Sequence, residues 1–147
     1  MARTLRLFAW ATGLVCIAIG LFHVLAGNAA IPGATDAGAT VDSLGRFFGA
    51  VFAGYGLAWL WAARQDPVPA RPVRWLAAVF LLGGAGRLLS LAEHGWPHPF
   101  QVALTVLELA LPPVWFWLAD ADERAFRQRR PDGAPAAEQS VPTREAT

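Results

Sequence analysis

Lysine is absent from this sequence, and cysteine occurs once. A single cysteine, Cys16, excludes an intramolecular disulfide and a CxxC redox pair. All twelve basic residues are arginines, and eleven acidic residues leave a net charge of only +1. No basic face of the necessary size is available, so we expect no nucleic-acid partner. Three histidines are too few for a diiron centre, and only His23 lies well inside an apolar segment, so we expect no haem or other cofactor.

Long apolar segments make up most of the chain. Hydrophobic residues account for 55% of it, and the mean hydropathy is +0.38. Four segments have roughly the 20 residues that a helix needs to cross a hydrocarbon core of about 30 Å. They cover residues 5–27, 44–63, 73–93 and 100–119. The pattern predicts an all-α integral membrane domain over residues 1–119, a four-helix up-down bundle with short connections.

Three details of this organisation are open to interpretation. The first segment also resembles a cleaved signal peptide ending at Gly27-Asn28-Ala29, but it exceeds a normal signal-peptide hydrophobic region, so an uncleaved helix is favoured. Asp42 or Ser43 can cap the second helix. Residues 120–147 form a polar tail, in which 120–130 can extend the last helix. The remainder is rich in Pro, Ala, Ser, Thr and Glu, which predicts disorder.

Arginines near the segment ends lie on one predicted side of the membrane. They are Arg3, Arg6, Arg64, Arg71, Arg74, Arg124, Arg127, Arg129 and Arg130. The loops on the other side, 28–43 and 94–99, contain none. The positive-inside rule therefore predicts that both termini are cytoplasmic. We expect a multi-pass protein of the bacterial inner membrane, with the lipid bilayer as its surroundings.

Each segment carries a stripe of small or polar residues at helical spacing. The stripes are Gly13, Cys16, Gly20, His23 and Gly27; Arg46, Gly49, Ala53 and Gly56; Gly83, Arg87, Ser90 and His94; and Gln101, Thr105, Glu108 and Pro112. Helices in lipid associate through such residues, so we expect the four stripes to converge on one interior.

Arg87 lies inside an apolar segment, where an unpaired guanidinium costs about 2.5–3.5 kcal/mol even on lenient scales. Glu108 is its predicted partner, because the two lie roughly 9 and 12 Å below the outer ends of their helices. His23 and Arg46 lie nearer those ends, which predicts a funnel open to the extracytoplasmic side. Pro112 and the proline after it remove helical hydrogen bonds beside Glu108 and predict a kink.

These polar residues have a structural and a functional interpretation. In the structural one, the Arg87–Glu108 pair fixes helix packing, while Arg46 snorkels or pairs with Asp42. In the functional one, two groups are candidate acid/base catalysts and four are candidate ligand-binding residues for an anionic or carbonyl group. The catalytic candidates are Glu108 and His23, and the ligand-binding candidates are Arg87, Arg46, Ser90 and His94.

The turn after the third segment contains Glu93, His94 and His98, a combination that raises the question of a metal site. The intervening glycine and prolines leave the side-chain directions undefined, and zinc sites need three or four well-placed ligands. We therefore expect no metal site.

Several short motifs resemble a known family. They are Gly20-Leu21-Phe22-His23, Gly45-Arg46-Phe47-Phe48-Gly49-Ala50, Gly86-Arg87-Leu88-Leu89-Ser90 with Gly95 and Pro97, and Glu108 followed by Pro112. In these motifs the chain resembles small four-helix bacterial membrane proteins that are catalogued as a domain of unknown function, and more distantly the DoxX-like proteins. The resemblance covers residues 5–119 and implies the fold but no reaction.

The leading hypothesis is an inner-membrane protein whose outward-facing polar funnel binds a small amphipathic or lipid-like molecule, with acid/base chemistry at Glu108 as an additional step. A second hypothesis is an accessory subunit of a membrane complex, whose polar cluster only specifies packing. A third is a proton-coupled transporter, which a chain this short can form only as a homo-oligomer. The expected partners are accordingly an amphipathic or anionic ligand, another membrane protein, or a second copy.

Overall fold

The structure, a computed structural model, describes residues 2–34 and 36–129. It contains four long helices: α1 (Ala2–Ala26), α2 (Ala39–Arg64), α3 (Ala70–His94) and α4 (Pro99–Arg129). A 3-10 helical turn, Gly27–Ala30, follows α1. The described residues include no strand, so the all-helical prediction is confirmed.

Three of the helices are long and apolar enough to cross a membrane. Their candidate spans are Arg3–Ala30, Ala70–His94 and Pro99–Gln128. Helix α2 has sufficient length, with 26 residues, but is not among the three. Arg46 and four glycines lower its mean hydropathy.

The helices extend beyond the predicted segments. Helix α2 begins at Ala39, and its N-cap position is Gly38. The prediction of a cap at Asp42 or Ser43 is therefore wrong, because Asp42 lies within the first turn and accepts a hydrogen bond from the Asn28 N–H instead, at 2.9 Å. Helix α4 includes both internal prolines and continues through residues 120–129. The rest of the predicted disordered tail, residues 130–147, lies outside the described residues.

Glycines allow α1 and α2 to pack with their backbones nearly touching. A Cβ on Gly20 would lie 2.5 Å from the backbone nitrogen of Ala53, and one on Gly56 would lie 2.6 Å from the Gly13 carbonyl oxygen. Real Cβ atoms do not approach backbone so closely, so these positions accept only glycine. Close backbone approach at small residues is the usual basis of helix association in lipid. The predicted stripes of α1 and α2 therefore face each other.

A hydrophobic core joins the start of α1, the end of α2, the start of α3 and the end of α4. At its centre Trp59 and Trp115 are almost completely buried, with ring centroids 4.4 Å apart. Around them lie Leu5, Ala9, Ala62, Ala63, Val68, Val73, Ala77, Leu118 and Ala119. We call this end of the molecule the closed end.

Ion pairs surround the closed end. Arg6 of α1 pairs with Asp66 in the α2–α3 connection at 2.9 Å. Arg74 of α3 pairs with Asp120 and with Glu123 of α4, the latter at 2.7 Å. Most of these side chains are at least one third exposed, so each pair adds only a little stability. Together they connect α1 to the α2–α3 connection and α4 to the start of α3.

Contacts between α2 and α3 continue a short distance beyond this core. The Tyr55 hydroxyl of α2 donates a hydrogen bond to the Leu76 carbonyl of α3, and the rings of Phe52 and Phe80 meet edge to face. Farther along, large apolar side chains of α2 and α3 are exposed, among them Phe47, Phe48, Leu82 and Leu89. We call this other end, formed by loop 27–38, the end of α3 and the start of α4, the open end.

Candidate functional site

Arg87 of α3 is held by two side chains of α4. Its Nε donates to Glu108 Oε2 at 2.8 Å, and its Nη1 donates to Gln101 Oε1 at 2.6 Å. Gln101 and Glu108 are about two helical turns apart, so both lie on the face that α4 presents to α3. The ion pair that the sequence predicts is thus present. The Glu108 side chain is 15% exposed and the Arg87 side chain 37%.

Two glycines of α3, one turn before Arg87, allow α4 to pack closely against α3 beside the ion pair. A Cβ on Gly84 would lie 2.8 Å from a methyl carbon of Leu109, and one on Gly83 would lie 3.7 Å from Glu108 Oε2. Prolines follow Glu108 and Leu109 at four-residue spacing. Because proline has no N–H, the carbonyls of both residues lack their helical donors. This stretch of the α3–α4 interface is therefore rich in polar backbone and side-chain atoms.

A cavity of about 620 Å³ lies beside Arg87 at the open end. Loop residues 31–34 form one wall, and the end of α3, the turn and the start of α4 form the others. Its apolar side chains include Ile31, Leu88, Leu91, Trp96, Val102, Val106 and Leu109, and its polar ones are Arg87, Ser90, His98, Gln101 and Thr105. Among these described lining residues, Arg87 is the one permanently charged side chain.

Two polar side chains of this wall, Arg87 and Gln101, have N–H groups without a protein acceptor in the described part of the chain. In the described part of the chain, no residue accepts a hydrogen bond from Arg87 Nη2 or from Gln101 Nε2. The Thr105 hydroxyl, in contrast, donates to the Gln101 carbonyl of its own helix at 2.9 Å. A molecule in the cavity would therefore meet N–H groups from Arg87 and Gln101.

Loop 27–38 is anchored by three residues that we call the clasp: Asn28, Asp42 and Arg46. The Arg46 guanidinium donates to the Val24 and Leu25 carbonyls at 2.5 and 3.3 Å, and to Asp42 Oδ2 at 2.7 Å. A cation at these carbonyls neutralises the negative end of the α1 helix dipole. The Asn28 side chain donates to the Ala37 carbonyl across the loop. The clasp thus fixes both ends of the loop that forms one wall of the cavity.

Asp42 lies before the apolar stretch of α2. Its carboxylate accepts hydrogen bonds from both other residues of the clasp, Asn28 and Arg46. The Arg46 guanidinium, together with the hydrogen bond from the Asn28 N–H, holds the pKa of the Asp42 carboxyl below its usual range. Asp42 is therefore charged at neutral pH, and the clasp is an ion pair there.

With this geometry established, one comparison with known proteins assigns a family. The profile described as Domain of unknown function (DUF4345) matches residues 4–119. The chain belongs to this family. The match runs from the first turns of α1 into α4. It confirms the resemblance to a family catalogued as a domain of unknown function. The more distant resemblance to DoxX-like proteins stays a prediction. No curated protein and no solved structure matches the chain.

The predicted site residues occupy four separate places within the family's region. Arg87 and Ser90 line the cavity, and Glu108 lies directly behind Arg87. His23 lies in the α1–α2 interface against Gly49, with its Nδ1 2.9 Å from the Ile19 carbonyl oxygen of its own helix. Arg46 belongs to the clasp, where it makes the predicted pair with Asp42. His94 is the exposed last residue of α3.

The expected convergence of four stripes on one interior is therefore replaced by two separate interfaces. Helices α1 and α2 satisfy each other's stripes through glycines, while α3 and α4 do so through Arg87, Gln101 and Glu108. In the described lining, neither His23 nor Arg46 contributes to the cavity. The physical reason is that Gly20 and Gly49 bring α1 and α2 too close together to leave space between them.

Some contributors to the cavity had weak sequence signals. Gln101 stood in the fourth stripe, but an uncharged amide gave no reason to single it out as a partner of Arg87. Loop residues 31–34 had no signal beyond a proline. As for metals, the described residues contain no group of three His, Cys, Asp or Glu side chains placed to hold an ion. The His98 Nδ1 instead accepts a hydrogen bond from the Phe100 N–H at 3.2 Å.

Proposed function

We propose that the protein binds a small amphipathic or lipid-like molecule in the open-end cavity, with the polar end of that molecule on Arg87. The observation that carries this proposal is the composition of the cavity: apolar walls around about 620 Å³, with one guanidinium that retains unused donors. Small-molecule sites typically have roughly 300–1,000 Å³, mostly apolar walls and a few polar groups that orient the ligand.

In this proposal all four helices cross the bacterial inner membrane in up-down order, with both termini cytoplasmic. The glycine contacts of α2 with α1, which extend from Gly49 to Gly56, support including α2 among the spanning helices. The distribution of arginine supports the orientation, because Arg6, Arg71 and Arg74 lie at the closed end, whereas the open-end segments 28–34, 36–38 and 95–98 contain no arginine. The cavity then belongs to the extracytoplasmic half.

A cavity-filling substitution tests binding without touching the ion pair. Val102 lines the cavity, whereas Leu107 of the same helix is exposed and is not among the lining residues. In native mass spectrometry after mild purification, wild type and the Leu107→Trp control should carry a bound small molecule, and Val102→Trp should lose it. Equal occupancy in Val102→Trp, or a folded wild type that carries nothing, would contradict the proposal.

Acid/base chemistry at Glu108 is an additional step of the same proposal. Glu108 reaches the cavity through Arg87, whose Nε it binds at 2.8 Å. A Glu108→Gln variant keeps a hydrogen-bond acceptor for Arg87 but cannot transfer a proton as a carboxylate does. If a bound molecule is chemically altered over time by wild type, the variant should leave it unaltered. Alteration at the wild-type rate would exclude the catalytic role.

A purely structural role is the second candidate, and a specific observation favours it. Arg87 already has two protein partners, Glu108 and Gln101, which together tie α3 to α4 without any ligand. An accessory subunit that needs only this packing would lose stability when the pair is broken and would carry no small molecule. The same mass-spectrometric comparison distinguishes it from the binding function.

A further inference from the structure

We infer that the polar end of the ligand is an uncharged carbonyl oxygen, as in an ester, ketone or aldehyde, and not a carboxylate or phosphate. This inference rests on the proposed binding function and adds the chemical class of the ligand. It follows from two properties of the site: the kind of hydrogen-bonding atoms that remain unused, and the charge already present.

The hydrogen-bonding atoms that remain unused are N–H donors, so the ligand must supply an acceptor. Arg87 uses Nε on Glu108 and Nη1 on Gln101, which leaves its Nη2 hydrogens without a described protein acceptor. The Gln101 amide accepts from Arg87 through Oε1, so its Nε2 hydrogens are also available. A carbonyl oxygen has two lone pairs and can accept from both groups.

The charge of the site argues against an anion. The Glu108 carboxylate already neutralises Arg87 at 2.8 Å, and its side chain is only 15% exposed. An anionic group in the cavity would leave one uncompensated negative charge in apolar surroundings, which is strongly unfavourable. His98 Nδ1 already accepts a hydrogen bond from the Phe100 N–H, so this atom does not donate to a group in the cavity. A neutral carbonyl leaves the pair balanced.

The walls determine the rest of the molecule. Apolar side chains from α3 and α4 surround the polar atoms, including Leu88, Leu91, Val102, Val106 and Leu109. An alkyl or similar apolar chain fits this lining, and its burial there does not require further polar groups. The expected ligand is thus a neutral amphiphile with a carbonyl near one end.

Three probes of matched chain length separate the possibilities: methyl dodecanoate, dodecanoate above its pKa, and an alkane without an acceptor. Each is titrated into purified protein in detergent and followed by native mass spectrometry. We expect the ester to bind roughly tenfold more tightly than either of the others, which corresponds to about 1.4 kcal/mol. Equal or tighter binding of dodecanoate overturns the carbonyl inference but leaves the binding function standing. Binding of none of the probes, with no co-purified molecule, counts against the binding function itself.

A reversal of preference gives the sharpest check. In Glu108→Gln, Arg87 becomes an uncompensated cation, so the preference should shift from the ester toward dodecanoate. Gln101→Leu removes a donor and should weaken ester binding. Gln128→Leu, at an exposed position of the same helix outside the cavity lining, is the matched control and should not weaken it. Infrared spectroscopy of an isotope-labelled ester provides an independent readout, since N–H donation lowers the carbonyl stretching frequency. An unshifted frequency in folded wild type, or an unchanged preference in folded Glu108→Gln, overturns the inference.

Discussion

The closed and open ends of this molecule differ in what lies between their helices. At the closed end the interior is a core around Trp59 and Trp115, and the ion pairs lie on the outside, as in the pairing of Arg6 with the 87%-exposed Asp66 side chain. At the open end the ion pair of Arg87 and Glu108 lies between helices, and a cavity lies beside it.

This difference separates stability from binding. The closed end contains most of the buried apolar side chains and connects all four helices, so it is the part that maintains the fold. The open end keeps polar donors next to unfilled space, an arrangement that contributes little to packing. Polar atoms that packing does not require are the usual sign of a site.

Removing the central tryptophan of the closed end should be the most damaging change. Trp59→Ala leaves a large void beneath Trp115, and such truncations typically cost about 3–5 kcal/mol. Trp61, on the same helix, is 55% exposed, so Trp61→Ala is the matched control and should change stability by less than about 1 kcal/mol. Denaturant unfolding in detergent, followed by circular dichroism, compares the two. Similar losses in both variants would show that the closed end is not the stabilising core.

The glycine interface of α1 and α2 should come next. A Cβ on Gly49 would lie 2.7 Å from the His23 Cβ, whereas one on Gly54 would meet nothing within 4 Å. Gly49→Ala should therefore destabilise by about 1–3 kcal/mol through overpacking. Gly54→Ala should be neutral or slightly stabilising, because alanine is the better helix former. The same unfolding measurement applies, and an equally stable Gly49→Ala would contradict the close packing.

At the open end, one double-mutant cycle should change stability and ligand binding in different ways. Arg87→Gln leaves Glu108 without its cation and should cost about 1–2 kcal/mol, less than the roughly 3–5 kcal/mol of a fully buried pair. Adding Glu108→Gln removes the uncompensated charge and should recover most of that stability. Neither the Arg87→Gln variant nor the double variant should bind the co-purified molecule or methyl dodecanoate. Recovery of binding in the double variant would show that the Arg87 donors do not hold the ligand.

The division between the two ends was only partly visible in the sequence. The Arg87–Glu108 pair could be predicted, because an arginine inside an apolar segment needs a partner and one carboxylate stood at a similar depth. The role of Arg46 at the end of α1 could not, because backbone carbonyls at a helix end leave no mark in the sequence. The beginning of α2 at Ala39 was missed, since the polar residues there are equally typical of a loop.

Helix faces could be predicted, but not which helix each face meets. The stripe through Gly20 was expected to share an interior with Arg87, yet Gly20 packs on Gly49. A periodic stripe gives the rotation of a helix about its axis and leaves its neighbour undefined. The cavity was therefore predicted at the correct charged residue, Arg87, but with the wrong walls, because loop residues 31–34 and Gln101 replace His23 and Arg46.

The smallest expected effect concerns the clasp and its dependence on pH. Arg46 and the Asn28 N–H lower the Asp42 pKa in the folded protein, so the clasp contributes stability above the unfolded-state pKa of about 3.9 and loses it as the pH falls through the folded value. Asp42→Asn should therefore be less stable than wild type near neutral pH, and the difference should shrink on acidification. Asp36→Asn, in the same loop, is the matched control. Thermal unfolding in detergent between about pH 3 and 7 measures the stability of both variants relative to wild type. If wild type remains more stable than Asp42→Asn by the same amount at the acid limit, the clasp does not act through the charge of Asp42.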